Sequence, residues 1–364
     1  MKYIINGNFL YGSVLGVQRY GREITHELDK LIKDKPYNVE IVMPTIDSDG
    51  TSVFIEKYQS LYENIKIVVI EGKAGRKWDQ FSFNKYVKSQ NRNGEIAKPI
   101  YLCNEVSLFM KDGIAVIHDI AFKTHPDFFI EPGDWHEIIF RRMMYRRAFK
   151  KAAYILTVSE FSKKEILDNY QLKNPHIIVA GNGWQHFDTK NIDELVFDQY
   201  ATRLKRGEYY FYLASLAPNK NLRWILENAK ENPDTIYVIA GKSLGDDSGI
   251  EKMPNVIYLG YTSDETSKAL MKYCKAFLFP STYEGFGIPP MEALCMGARI
   301  ILGDIPVLRE IYGNAAKYVD CKNPYINLDE MVESWEIEDG AVKEVLNNNS
   351  WAKSAGKLME VMDK

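Results

Sequence analysis

The 364-residue sequence has no apolar stretch approaching the ~18–20 residues that a membrane-spanning helix needs. Its opening, MKYIINGNFLYG, carries one lysine and an apolar run broken by asparagine and glycine. That run is too short and polar for a secretory signal, so neither export nor membrane spanning is expected. Cysteine is scarce. Cys103, Cys274, Cys295 and Cys321 show neither paired nor metal-like spacing, and three of the four sit within or beside apolar runs. Such thiols fit a reduced, cytoplasmic protein and argue against a disulfide scaffold. Excess charge is missing as well: a net charge of −3 gives no reason to expect a nucleic-acid partner. Contact with a membrane surface, which needs neither a span nor a global charge, stays open.

What the chain does have is a rhythm. The runs Tyr3–Ile5, Val39–Val42, Ile65–Ile70, Ile100–Cys103, Ile114–Ile117, Tyr154–Val158 and Ile177–Val179 read as strands. After a polar stretch the pattern resumes at Tyr209–Leu213, Thr235–Ala240, Val256–Leu259, Ala276–Phe279, Arg299–Leu302 and Lys317–Val319. Helix-like segments lie between most of them, which implies α/β architecture with parallel sheets covered on both faces. Single cores stop growing near ~250–300 residues, so this length predicts two. The segment Gly181 to Gly207, richer in Asp, Asn, Lys and Arg, reads as the passage between two doubly wound domains. Near the C-terminus, Asn347-Asn348-Asn349-Ser350 is a helix-start signal. Trp351, Ala355, Leu358, Met359 and Met362 then recur at helical spacing. Periodicity alone leaves open whether this helix closes the second domain or crosses back to the first.

The most informative stretch is STYEGFGIPPMEALCMG, residues 281 to 297. Phe277-Leu278-Phe279-Pro280 reads as the end of a buried strand, since proline removes the next ladder donor. Pro289-Pro290 reads as a helix opening, where a missing N–H does no harm. The segment between them is therefore a loop at a strand's carboxyl end, where open α/β sheets bind ligands. Gly285 and Gly287 let backbone approach a ligand, permit positive φ, and offer N–H donors to sugar or phosphate oxygens. Glu284 and Glu292 bracket these donors, with seven residues between them. Carboxylates suit vicinal hydroxyls because each can accept two hydrogen bonds. Taken singly, Glu292 could merely complement the dipole of the helix it opens, and Glu284 could be a solvated loop residue. Together with the glycines, the strand before and the helix after, they point to a ligand.

The stretch PSTYEGFGIPPMEALCMGARII resembles the signature of glycosyltransferase family 4, retaining enzymes of the GT-B fold, whose motif is Glu, seven residues, Glu. The resemblance covers nearly the whole chain. It implies two Rossmann-like domains: 1–185 for the acceptor and 186–347 for a nucleotide-sugar donor, with chemistry in the cleft. A helix at 348–364 is expected to pack on the first domain. It implies that Glu284 and the amides of Gly285, Phe286 and Gly287 hold the donor sugar, and that Glu292 takes the ribose hydroxyls. The implied reaction moves a sugar from a nucleotide diphosphate to an acceptor hydroxyl with retention, in surface polysaccharide or glycoconjugate synthesis. Alternatives on the same fold are an epimerase, which would need proton-abstracting groups not found beyond His118, and a non-catalytic sugar-nucleotide-binding partner.

Other segments extend the resemblance. GSVLGVQRYGREITHEL looks like the family's first glycine-containing loop, which sets Gly16 at a helix N-terminus suited to a diphosphate. Its GVQRY run is most like the mannosyltransferase-B-type branch, leaning the donor toward GDP-mannose. His118-Asp119, after the apolar run from Ile114, matches a His-Asp pair whose histidine lies beside the donor sugar. Asp119 is expected to orient backbone. In YLASLAPNKNLRWI, Lys220 matches the diphosphate-binding lysine, while Asn219 stands where an arginine is usual. Loss of that bidentate cation leaves Lys220 to act alone or with Lys242, Arg223, Arg19 or Arg22, of which Lys242 in AGKSLG ranks highest. No metal or other cofactor is implied, and Asp47-Ser48-Asp49 reads as a surface loop. Finally, Arg141, Arg142, Arg146, Arg147, Lys150 and Lys151 fall mostly on one side of a helix whose other side carries Met144, Tyr145 and Ala148. This face is either simply solvated or meets anionic lipid or a lipid-linked saccharide acceptor.

Overall fold

The structure, a computed structural model, describes residues 1–11, 14–91, 96–129, 135–172, 176–215, 217–241 and 253–364. Among them are thirteen strands, each on one of the apolar runs named above. Seven form one sheet: β1 (Lys2–Asn6), β2 (Asn38–Ile46), β3 (Lys66–Lys73), β4 (Ala97–Tyr101), β5 (Ile114–Val116), β6 (Tyr154–Thr157) and β7 (Ile177–Val179). Their order is β3-β2-β1-β4-β5-β6-β7, with every pairing parallel. Strands covered on both faces need unbroken apolar runs, and all five residues of β1 are buried. Lys2 and Asn6 are the polar exceptions in that strand, and both are matched: the Lys2 ammonium meets Glu40 on β2 at 2.9 Å and Gln90 at 2.8 Å, and Asn6 Nδ2 donates to Asp79 Oδ1 at 2.7 Å. The strand order reverses beside β1, which opens a crevice at the carboxyl ends of β1 and β4.

This sheet belongs to a compact unit made of Met1–Asn182 and Trp351–Lys364. The C-terminal helix, Trp351–Met362, is thus part of the first unit, where it packs along the helix Gly16–Leu31. It buries Trp351, Ala355, Leu358, Val361 and Met362, while Met359 is only half-buried. Each large apolar side chain so placed contributes about 1.5–3 kcal/mol relative to exposure. The Trp351 ring meets Tyr20 edge-on with centroids 6.0 Å apart, and the Tyr3 hydroxyl donates to the Met362 carbonyl.

The second unit, Gly183–Ser350, holds the other sheet. Its strands are β8 (Tyr209–Leu213), β9 (Ile236–Ala240), β10 (Val256–Gly260), β11 (Ala276–Phe279), β12 (Ile300–Gly303) and β13 (Lys317–Val319). The order is β10-β9-β8-β11-β12-β13, again parallel throughout. Here the order reverses between β8 and β11. The loops that leave those two strands therefore face each other across the reversal, and they carry Lys220 and Glu284 respectively.

Candidate functional site

The turn after β11 is fixed from several sides. Gly287 has φ +87° and caps the helix Ile288–Cys295; a Cβ there would meet Leu308 Cδ2 at 2.9 Å. Gly285 does not share this conformation, so of the two glycines only Gly287 needs positive φ. The buried Tyr312 hydroxyl donates to the Gly287 carbonyl. Burial, followed by the charges of Glu292 and Glu284, drives the Tyr312 pKa well above the ordinary phenol range. Both carboxylates thus act on one phenol under the turn. Each is almost buried, at 8% exposure. Since the helix starts at Ile288, Glu292 lies in its second turn rather than its first. A dipole role fades within the first turn, so that account of Glu292 is set aside.

Across the reversal, Pro218–Lys220 form one 3-10 turn. The Lys220 ammonium meets Glu284 Oε1 at 2.6 Å and lies 5.4 Å from the Phe279 ring centroid. Its backbone carbonyl accepts the Tyr212 hydroxyl of β8 at 3.1 Å. Asn219 has a definite task beside it. Its Nδ2 donates to the Tyr283 carbonyl at 3.0 Å, and its own carbonyl accepts the Thr282 amide at 2.9 Å. The residue in the usual arginine's place thus ties the lysine loop to the glutamate turn. Of the substitutes for that arginine, Arg223 is exposed and pairs with Glu227 at 2.6 Å. Arg22 holds the carbonyls of Phe9 and Leu10 at 3.3 and 2.8 Å. Lys242 lies outside the described residues.

Sequence reading missed His186. Its Nε2 meets Glu292 Oε1 at 2.7 Å, and its side chain is 2% exposed. A lone histidine in the polar stretch WQHFD, 106 positions before Glu292, gives no periodic or motif signal.

The first unit carries the remaining candidates. His118, just past β5, is buried, and its Nε2 lies 3.1 Å from the Leu102 carbonyl. A carbonyl only accepts, so Nε2 carries a proton. Burial lowers the His118 pKa to about 4, against a smaller raising effect of that carbonyl. The ring is therefore neutral near pH 7 and sits edge-on against Tyr20, centroids 4.7 Å apart. Asp119 accepts the Ala121 amide at 3.0 Å, a capping role. Gly16 is the first residue of its helix, whose N-cap, Leu15, supplies no side-chain bond. A helix N-terminus of this kind presents backbone amides that lack intrahelical partners and can receive an anion. Asp47, first of the Asp-Ser-Asp run, uses Oδ1 on the amides of Asp49 and Thr51 at 3.0 and 2.7 Å.

An open groove of about 560 Å³ in the second unit is lined by Tyr312 and by four acids, Glu310, Glu338, Asp339 and Glu344. That charge disfavours a diphosphate there. On the basic helix Trp135–Lys151, Met144, Tyr145 and Ala148 are buried, and Arg142, Arg146, Arg147 and Lys150 are exposed. Ile139 and Met143 stand among these cations, each 51% exposed.

Two doubly wound parallel sheets, with acids and a lysine on the loops at the second reversal, define the GT-B class of fold. Solved structures agree across the full chain. Sucrose-phosphate synthase from Thermosynechococcus elongatus superposes with TM-score 0.72 at 13% identity, covering 100% of this chain and 98% of that one. HepE from Anabaena, solved with UDP and glucose, gives 0.70 at 15% identity, covering 100% and 99%. Residues 198–353, somewhat under half of the chain, match the model of the family Glycosyl transferases group 1. The O-antigen chain mannosyltransferase RfbU of Salmonella typhimurium is 26% identical over 219 residues, 58% of this chain and 57% of that protein. The O-antigen chain mannosyltransferase B of Escherichia coli is 24% identical over 58% of each chain. The chain thus aligns with a little over half the length of these curated relatives.

Proposed function

We propose that this protein is a retaining hexosyltransferase of glycosyltransferase family 4, acting in surface polysaccharide or glycoconjugate synthesis. The observation that carries the reading is the Lys220–Glu284 pair, 2.6 Å across the strand-order reversal of the second sheet. Lys220 is assigned to the diphosphate. Glu284 and the amides of Gly285, Phe286 and Gly287 are assigned to the sugar, and Glu292 to the ribose. The second unit is then the donor domain and the first the acceptor domain, with His118 and the Gly16 amide as its contributions. GDP-mannose is the proposed donor, in line with the mannosyltransferase names of the relatives.

In this reading the bond from the anomeric carbon to the phosphate oxygen breaks. The acceptor oxygen bonds to the same face of the carbon, and its proton passes to the departing phosphate. Charge growing on the diphosphate meets a donor already in place, the Lys220 ammonium. No metal has a part, so transfer is expected to persist in EDTA. The acceptor is a saccharide or a lipid-linked saccharide. The exposed cations around Ile139 and Met143 would rest on the cytoplasmic face of an anionic membrane, each near-surface cation contributing about 1 kcal/mol.

A thermal-shift screen of GDP-, UDP- and dTDP-sugars, followed by NMR of the product's anomeric centre, tests the reading. Stabilisation by one donor class and a retained anomer are expected; no stabilisation by any of them would overturn it. Sedimentation with phosphatidylglycerol vesicles tests the membrane contact, which fails if the protein stays in the supernatant.

A further inference from the structure

The approach of His186 to Glu292 is not an isolated contact. The segment around His186 is fastened to the Glu292 helix at a second point, because Cys295 Sγ donates to the Phe187 carbonyl at 3.2 Å. Cys295 stands three residues past Glu292, on the same helix. The segment is held elsewhere too. Trp184 Nε1 donates to the Leu346 carbonyl at 2.9 Å, and Asp188 takes the Lys268 ammonium at 2.9 Å. The Lys268 charge also lies 5.5 Å from the Phe187 ring centroid. A histidine 2% exposed and clamped on both sides cannot swing to follow its partner. The carboxylate must conform to the ring.

Resting on the assignment of Glu292 to ribose, we infer that His186 is a positioning residue that gives the site its preference for ribonucleotides. Nε2 carries a proton toward Glu292 Oε1 whether the imidazole is neutral or charged, since a carboxylate only accepts. That bond engages one carboxylate oxygen and fixes the rotation of the group. The second oxygen is then held in a single orientation, ready to accept from a vicinal diol. Without His186 the carboxylate stays in place but loses its orientation. Discrimination between ribose and deoxyribose then falls more than affinity for the diphosphate does.

The test uses the full chain and calorimetry, with GDP against 2′-deoxy-GDP and UDP against 2′-deoxy-UDP. Wild type is expected to prefer the ribonucleotide of the class it binds by about tenfold, the size of one hydrogen bond to a carboxylate. Glu292→Ala should abolish the preference. His186→Phe, which keeps the ring but not the donor, should reduce it to within about threefold, and His186→Gln, which keeps a donor, should restore most of it. If Glu292→Ala loses the preference while His186→Phe retains it, the positioning role is refuted and the ribose assignment stands. If Glu292→Ala retains the preference, the ribose assignment itself falls, and the inference with it. An equal weakening of both nucleotides by His186→Phe would mean packing alone, and would also overturn the inference.

Discussion

Replacing Lys220 with methionine separates what the site does for folding from what it does for chemistry. The change keeps most of the apolar stem but leaves Glu284, whose side chain is 9% exposed, facing the turn without its cation. Stranding a fully buried partner costs about 3–5 kcal/mol. Lys220 keeps 20% exposure, so some solvent screening remains and about 2–3 kcal/mol is expected instead. For a unit of this size that lowers the midpoint of thermal unfolding by roughly 5–10 °C. Adding Glu284→Gln removes the stranded charge, and most of the lost stability should return, because deleting both partners is far cheaper than deleting one. Activity should not return. On the proposed role of Lys220, loss of this donor to the departing diphosphate should lower kcat about 10²–10³-fold, and the double variant lacks it equally. Calorimetric scans and transfer kinetics on the wild type, the two single variants and the double variant complete the cycle. Recovery of turnover together with stability in the double variant would refute a catalytic role for Lys220.

Three further outcomes follow from individual groups. Gly287→Ala places a Cβ at φ +87° and 2.9 Å from Leu308, so thermal unfolding should show a loss of about 1–2 kcal/mol; an unchanged midpoint would contradict the geometry of the turn. His118, lowered to about 4 by burial, should show no protonation by NMR above about pH 5; titration near 6.5 would place it in water. Asp79 is buried in the first unit, where the amides of Asn6 and Asn8 donate to its Oδ1, and desolvation raises its pKa to about 7. Between about pH 4 and 7 the folded protein then holds a proton that the unfolded chain has released, so this group's stabilisation declines as pH rises through that window, by up to about 1.4 kcal/mol per unit. Asp79→Asn should remove the decline in denaturant unfolding curves, and a wild type minus variant difference that does not vary with pH would refute it.

Strands were legible because parallel sheets bury both faces and so write themselves as short apolar runs; β8, Tyr-Tyr-Phe-Tyr-Leu, is the clearest. Glu284 and Glu292 were legible because glycine and proline mark the turn between them. What escaped was contact between distant segments. Nothing in WQHFD announces that His186 will reach Glu292, and nothing in Asn219 that its amide will hold Tyr283. Asn6 and Asp79, 73 residues apart, meet only because the short helix Trp78–Ser82 packs against the end of β1. Helix phase was also hidden: Glu292 sits one turn deeper than the two prolines suggest. Such pairings depend on tertiary placement, which residue spacing along one segment does not encode.

A crystal structure of the full chain with the nucleoside diphosphate that stabilises it most would test the central assignment directly. The diphosphate is expected on Lys220, released from Glu284, and the ribose hydroxyls on Glu292. A nucleotide bound in the acidic groove beside Tyr312, or anywhere that leaves the Lys220–Glu284 pair intact, would contradict it.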